Sequence, residues 1–203
     1  MRTKYGTLYV GRRAAENALH AVRYATLTGR QMNTLITISF CRLGVEDDKA
    51  GKLFHRLQAN ISRWWRYQRD QKKRNIGPLT GMYAHANPAG SRHVHWLIHL
   101  PVEIRSEFRD SLLKRLCKLT GLDDVGDACH VKDVDHPGGA AKYVLRGIDP
   151  LYSKYLHIRA SNEGAVSCRR TGTSRSIGKA ARKQAGWNRR KNTIISSQSN
   201  VAN

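Results

Sequence analysis

Two segments in which apolar and polar residues alternate, residues 79–87 and residues 92–100, lie on either side of the turn sequence PAGS. Side chains of a β-strand point alternately to the two faces of a sheet, so this arrangement is typical of an antiparallel hairpin. Helical spacing of apolar residues occurs at 14–27, 46–74, 101–121 and 137–147, and strand-like runs occur at 34–41 and 129–132. This order predicts an α+β fold in which helices cover a central sheet. The hairpin disfavours the alternative, a doubly wound parallel sheet.

The last quarter of the chain has a weaker pattern. The elements expected there are strands at 155–160 and 165–168, which would pair around Asn162-Glu163-Gly164, and a basic helix at 176–186. From about residue 188 the sequence is basic and then rich in Ser and Asn without apolar periodicity, which is typical of a flexible tail. We therefore expect one folded domain, residues 1–187, with a basic extension from about residue 159, followed by a flexible tail, residues 188–203.

The charge of the chain points to a polyanionic partner. Lys and Arg number 36 against 15 Asp and Glu, and the formal net charge of +21 is spread along the whole length. Such an excess attracts phosphate and costs self-repulsion when no anion is bound. The four cysteines form no CxxC pair, which disfavours a zinc ribbon or a disulfide framework. Because no apolar run approaches the roughly 20 residues of a membrane helix, and the N-terminal sequence is too polar for a secretory signal, we expect a cytoplasmic protein with no membrane partner.

The strongest chemical signal is the pair His93 and His95 inside the second alternating segment. Strand periodicity puts both imidazoles on one face, where they can bind one divalent ion, and His99 shares that face by parity. Polar surface on a His-rich chain is the alternative explanation. On the preceding strand, His85 or Asn87 could lie opposite the pair and supply a third ligand. An oxygen ligand beside the imidazoles suits Mn²⁺ or Mg²⁺, whereas three histidines alone suit zinc.

The second signal is Tyr143 in the sequence GGAAKYVLRG, on a short expected helix. The alanines before it leave its phenol unshielded, and Lys142 and Arg146 place positive charge beside it. A phenol is protonated at neutral pH, and cationic neighbours favour the phenolate that a nucleophile needs. An ordinary amphipathic tyrosine is the alternative. Tyr152 and Tyr155, just downstream, compete for the role.

Three segments in this order, TLITISF at 34–40, HVHWLIHLP at 93–101 and KYVLRG at 142–147, resemble the ordered motifs of HUH rolling-circle replication initiators. The resemblance covers about residues 34–148 and is closest to the small initiators of bacterial plasmids, filamentous phages and related mobile elements. It implies a five-stranded antiparallel sheet of the ferredoxin-like kind, with the HxH on a central strand and the tyrosine on an adjacent helix. It also implies a site-specific single-strand DNA endonuclease and strand transferase that nicks an origin through a covalent 5′-phosphotyrosine.

The resemblance also assigns roles to residues. These are Tyr143, Lys142 and Arg146 for catalysis, and His93, His95 and His85 for a Mn²⁺ or Mg²⁺ ion, with no small-molecule cofactor. The chain departs from the family pattern at two positions. Arg146 stands three residues after the tyrosine, where initiators often have Lys, and Ala86 stands where relatives often have Glu. We favour His85 over Asn87 as the replacement ligand.

The basic stretch after residue 159 is expected to contact DNA, because its arginines alternate with small hydroxyl residues that bind phosphate oxygens. The residues expected to make these contacts are Arg159, Arg169, Arg170, Arg175, Lys179 and Arg182. The expected substrate is single-stranded or hairpin origin DNA. Since no Walker motif is present, we expect a separate host helicase to unwind the DNA.

Two other functions fit the same patterns. One is a transposase or a mobilisation relaxase that uses the same chemistry, and the other is a basic nucleic-acid-binding protein without catalysis. The small size of the chain and the absence of a further histidine cluster after Tyr143 favour replication over mobilisation. The neighbouring Trp64 and Trp65 are expected to belong to the core and not to stack on bases.

Overall fold

The structure, a computed structural model, describes residues 2–3 and 6–194. The α-helices in this part of the chain are α1 (Arg12–Leu27), α2 (Asp47–Arg66), α3 (Arg105–Thr120), α4 (Pro137–Val144), α5 (Pro150–Leu156) and α6 (Lys179–Gln184). The strands are β1 (Arg2–Thr3), β2 (Gly6–Thr7), β3 (Thr34–Ser39), β4 (Thr80–Ala86), β5 (His93–His99), β6 (Cys129–Asp133), β7 (Thr171–Thr173), β8 (Trp187–Asn188) and β9 (Thr193–Ile194). A π-helical turn, Tyr67–Gln71, continues α2.

A five-stranded sheet forms the centre of the molecule. Its strand order is β6-β3-β5-β4-β7, and every neighbouring pair is antiparallel. The expected hairpin is formed by β4 and β5, and β5 is the middle strand. The prediction of an α+β fold around a five-stranded antiparallel sheet is therefore confirmed.

Each face of this sheet is covered by its own hydrophobic core. Helices α2 and α3 cover one face, which we call the α2/α3 face, through a cluster that includes Val94 and Trp96. Helices α1 and α4 cover the other, the α1/α4 face, through a cluster that includes Met82 and Leu97. Trp64 and Trp65 make edge-to-face contacts with Phe108 in the first core, as expected. The alternation along β5 thus decides which side chains meet α4.

Most of the elements predicted from the sequence are present with small shifts at their ends. The helix predicted at 14–27 is α1, which begins two residues earlier, and the helix after Pro101 is α3. Gly121 ends α3 in the left-handed conformation, with φ 76°, which glycine adopts without steric cost.

The predicted strand pair at 155–160 and 165–168 is wrong. Residues 150–156 form α5 instead, because Pro150 suits the first helical turn and the Asp149 carboxylate accepts a hydrogen bond from the Leu151 N–H at 3.1 Å. The fifth strand of the sheet is β7, which lies inside the basic extension. That extension therefore completes the central sheet.

The segment predicted as a flexible tail, residues 188–203, contains regular secondary structure in its first part. Strands β8 and β9 form a short antiparallel hairpin over residues 187–194. The rest of the predicted tail, residues 195–203, lies outside the described residues. Among the helices of the described part, none is long and apolar enough to cross a membrane.

Candidate active site

The histidine pair lies at the start of the middle strand. Both His93 and His95 point to the α1/α4 face, and their ring centroids are 4.8 Å apart. His95 is opposite Thr37 on one neighbouring strand and Ala84 on the other, so it is enclosed on both sides by small residues and is only 5% exposed. Burial lowers the pKa of His95 to about 3, and burial also lowers the pKa of His93. At neutral pH both imidazoles are therefore uncharged, and the uncharged imidazole is the form that binds metal.

One ring nitrogen of each histidine is held by an oxygen. The Nδ1–H of His93 donates to the carbonyl oxygen of Ser91 at 2.8 Å, and His95 Nδ1 lies 2.9 Å from the Thr37 hydroxyl. His95 Nε2 is buried and has no hydrogen-bond partner among the described residues. Histidines that bind metal commonly have their second nitrogen fixed in this way, which leaves Nε2 for the ion. The donor chemistry of the pair therefore fits a divalent metal.

Tyr143 is brought next to this pair by α4, which packs on the sheet through Ala141 and Val144. The Tyr143 ring centroid is 5.2 Å from that of His95, and its side chain is still accessible, with 44% of the residue surface exposed. The Arg146 guanidinium carbon lies 4.6 Å from the centroid of the same ring. Phenol, imidazole and guanidinium, from distant parts of the sequence, thus share one site.

A buried carboxylate that the sequence analysis missed holds Arg146. Glu163 is 4% exposed, and its Oε1 lies 2.6 Å from Arg146 Nε in an ion pair. Its negative charge also acts on His93, where it favours the protonated ring. A signal for this role existed, since Glu163 is the last acidic residue of the sequence and stands alone in a very basic segment.

Comparison of the chain with protein-family models, curated proteins and solved structures finds no match. The chemistry of the site is therefore inferred from the groups that it contains. Two neutral imidazoles, an accessible phenol, a guanidinium and a buried carboxylate meet at one end of the middle strand.

The prediction that His85 is a metal ligand is wrong, because His85 lies on the opposite face of the sheet. It pairs with Val94, so strand alternation sends its ring to the α2/α3 face. There it stacks on Phe40 and meets the edge of Phe54, with centroid distances of 6.0 and 5.2 Å. His85 is a core residue.

The position at which the resemblance implies a third ligand carries a methyl group. Ala86 lies directly opposite His93 in the β4–β5 register, on the face of the histidine pair. Within residues 2–3 and 6–194, no group of three or more His, Cys, Asp and Glu side chains is arranged to hold a metal ion. Of the three predicted ligands, the described residues thus bring together two, the imidazoles of His93 and His95.

Arg146 lies at the Tyr143 ring, whereas Lys142 and the two competing tyrosines line or face the surface beside α1. Lys142 is exposed and lines a cleft with residues of α1 and α5. Tyr152 and Tyr155 lie on α5, where the Arg12 guanidinium carbon is 5.9 and 4.6 Å from their ring centroids. These tyrosines therefore belong to the surface beside α1.

The six predicted DNA contacts do not form one surface. Arg159, Arg169, Arg175 and Lys179 are exposed, but Arg169 and Arg175 line a cleft on the α2/α3 face and Lys179 lines a cleft beside α1. Arg170 and Arg182 are buried, at 4% and 6% exposure. Their guanidiniums donate to backbone carbonyls within the fold, so the prediction that they contact DNA is wrong.

The two most buried histidines should make the protein sensitive to mild acid. Burial lowers the pKa of His85, like that of His95, to about 3, while both titrate near 6.5 in an unfolded chain. Below pH 6.5 the unfolded state binds protons that the native state does not, so stability falls as the pH falls from about 6.5 towards 3. Each histidine should contribute about 1.4 kcal/mol per pH unit to this loss.

Urea unfolding of His85→Met at neutral and at mildly acidic pH tests this expectation. Methionine cannot take up the proton, so the variant should lose about 1.4 kcal/mol less stability per pH unit than the parent. The exposed His136 provides the matched control, and His136→Met should keep the parent slope. Equal slopes for the parent and His85→Met would contradict the burial argument.

Proposed function

We propose that this protein is a metal-dependent DNA nicking and joining enzyme of the HUH rolling-circle initiator kind, with Tyr143 as its nucleophile. The observation that carries the proposal is the approach of the Tyr143 ring to within 5.2 Å of His95, with the Arg146 guanidinium over the same phenol. A nucleophile, a cation and a pair of metal-binding nitrogens are the groups that phosphodiester transfer requires.

In the proposed reaction, Tyr143 loses its phenolic proton to solvent water, and the phenolate oxygen attacks the phosphorus of a DNA phosphodiester. A new bond forms between this oxygen and the phosphorus, the bond from phosphorus to the 3′ oxygen breaks, and the leaving 3′ oxygen takes up a proton from solvent water. Arg146 stabilises both the phenolate and the charged phosphate. A bound Mn²⁺ or Mg²⁺ ion on Nε2 of His93 and His95 would withdraw charge from the phosphate.

The products explain why one site would both cut and rejoin. The 5′ end of the cut strand stays on Tyr143 as a phosphodiester of the phenol, and the other end has a free 3′-hydroxyl that can prime synthesis. Because the tyrosyl ester conserves the energy of the broken bond, a later 3′-hydroxyl can attack it and seal a circle. The proposed substrate is single-stranded or hairpin origin DNA, and unwinding would fall to a separate host helicase.

The test is formation of a covalent complex. A labelled oligonucleotide that contains a candidate origin hairpin, incubated with the protein and Mn²⁺, should give a band that survives denaturation in detergent. Chelation with EDTA should prevent it. If DNA binds but no denaturation-resistant band forms with any origin sequence of the encoding replicon, the protein is a nucleic-acid-binding module without catalysis.

Replacing His95 should affect this reaction far more than replacing His85. His95→Ala removes an Nε2 from the site, and we expect at least a 100-fold loss of nicking rate, of the order seen when a charge-stabilising group is removed. Thr37→Val, which removes the hydroxyl at His95 Nδ1, should cost about 10- to 100-fold. His85→Met is the control and should nick at the parent rate. If the His95→Ala variant were as active as the parent, the histidine pair would have no role in the reaction.

A further inference from the structure

Three clefts beside α1 share wall residues and form one groove, and one of them reaches Lys142 on α4, the helix that carries the proposed nucleophile. The first, of about 520 Å³, lies between α1, α6 and Trp187, and the second, of about 360 Å³, lies between α1 and Tyr155. The third, of about 320 Å³, reaches Lys142, the residue before Tyr143. All three share Glu16 and His20 of α1 in their walls. We call this continuous surface the α1 groove.

The walls of the α1 groove are strongly basic. Apart from the buried Arg182, eight Lys and Arg side chains line it against one carboxylate, Glu16, whose Oε1 lies 2.9 Å from Arg12 Nε. Among these cations, Lys179, Lys183 and Arg189 are exposed and line the first cleft, and Arg189 also lines the second. A row of cations with a single, already paired carboxylate favours a polyanion over a protein or a neutral ligand.

The groove also presents aromatic and apolar surface between its cations. Tyr155 is 63% exposed in the middle of it, with the Arg12 guanidinium 4.6 Å from its ring centroid. At one end, the Trp187 ring meets His20 edge-on at 5.5 Å. At the other end, Leu19 and Leu156 line the cleft beside Lys142. Unpaired bases expose π faces that stack on such side chains, whereas the bases of a duplex are already stacked on each other.

From these observations we infer that the α1 groove binds the unpaired DNA strand that adjoins the phosphate at Tyr143. The cations bind successive phosphates, and Tyr155 stacks on a base that the strand turns towards the protein. Binding of this kind does not depend on base sequence, because every base has a π face and every nucleotide a phosphate. The inference rests on the proposed function for the direction of the strand, but the affinity of the groove for single strands can be measured without any cleavage.

The experiment measures binding in a Tyr143→Phe background, so that nicking has no influence on it. Fluorescence anisotropy with labelled oligothymidylate compares this background with the same protein that also carries Lys179→Gln, Lys183→Gln and Arg189→Gln. Log affinity falls with log salt, and each lost phosphate contact should make this negative slope less steep by about 0.7. The triple variant should therefore have a slope that is less steep by about 2, and its affinity should be at least tenfold lower. Tyr155→Ala should lose about tenfold in affinity with an unchanged slope.

A matched triple variant controls for net charge alone. Arg56, Lys114 and Lys118 are equally exposed and line a basic cleft between α2 and α3, on the other face of the sheet. Their replacement by Gln should change affinity less than about threefold. Equal losses in the two triple variants, or tighter binding of duplex than of single strand that depends on the groove residues, would overturn the inference. Failure of wild-type protein to form a covalent complex would refute the proposed function and leave this result untouched.

Discussion

Tyr143→Phe is expected to abolish covalent attachment to DNA, with a loss of more than about 1,000-fold in nicking rate, because the variant lacks the attacking oxygen. The fold should be unaffected, since the hydroxyl is the only group removed and the ring keeps its contacts with His95 and Arg146. DNA affinity should also be retained. The measurement is the amount of denaturation-resistant complex formed per minute with Mn²⁺ and a labelled hairpin.

Two downstream tyrosines provide matched controls for this loss. Tyr152→Phe and Tyr155→Phe each remove a phenolic hydroxyl group from α5, as Tyr143→Phe does from α4. Both rings lie beside Arg12. Both variants keep the aromatic ring, including the Tyr155 ring that stacks on a base in the α1 groove, so both should form the complex at close to the parent rate. If Tyr155→Phe abolished it and Tyr143→Phe did not, the nucleophile would have been assigned to the wrong helix.

Arg170→Met is expected to lower the free energy of unfolding by about 3–5 kcal/mol, because it removes a buried charged group and leaves the backbone carbonyls that it binds without a donor. The Arg170 Nη1 donates to the carbonyl oxygens of Thr7, Leu8 and Gly164 at 2.6–2.8 Å, and Nη2 donates to that of Glu163 at 3.0 Å. The side chain thus joins the N-terminal segment to the loop that holds Arg146. Methionine fills much of the volume but satisfies none of these four carbonyls.

Equilibrium unfolding in urea measures this effect, with the adjacent Arg169→Met as control. Arg169 is exposed, and within the described part of the chain its side chain makes one hydrogen bond, from Nε to the Thr171 carbonyl at 3.0 Å, so its replacement should cost less than about 1 kcal/mol. A similar small loss for both variants would show that the carbonyls around Arg170 find other partners.

The sequence could predict the parts of this fold that depend on local periodicity. The alternation around His93 and His95 identified the middle strand, and the left-handed Gly121 marked the end of a long helix. Whether side chains of two neighbouring strands lie on the same face of the sheet depends on the register between the strands. Alternation within one strand does not reveal this register. His85 was assigned to the wrong face for this reason, since a shift of one residue would have put it opposite His93.

The sequence also does not show which charged side chains are buried. Arg170 and Arg182 have the same composition around them as the exposed Arg169 and Arg175, yet they point into the fold because carbonyls of distant segments are left there to be satisfied. Glu163 was read as part of a turn, although it is buried against Arg146. Some of these partners, such as Thr7 for Arg170 and Asn17 for Arg182, are more than 160 residues away along the chain, and only the folded arrangement brings them together.

The most direct measurement is the identification of the amino acid and the DNA end in the covalent complex. After nuclease and protease digestion of the complex, tandem mass spectrometry should find a nucleotide attached through its 5′ phosphate to Tyr143, and the released strand should carry a 3′-hydroxyl that a polymerase can extend. Attachment to another residue, attachment through a 3′ phosphate, or cleavage by hydrolysis with no protein-linked nucleotide would contradict the account.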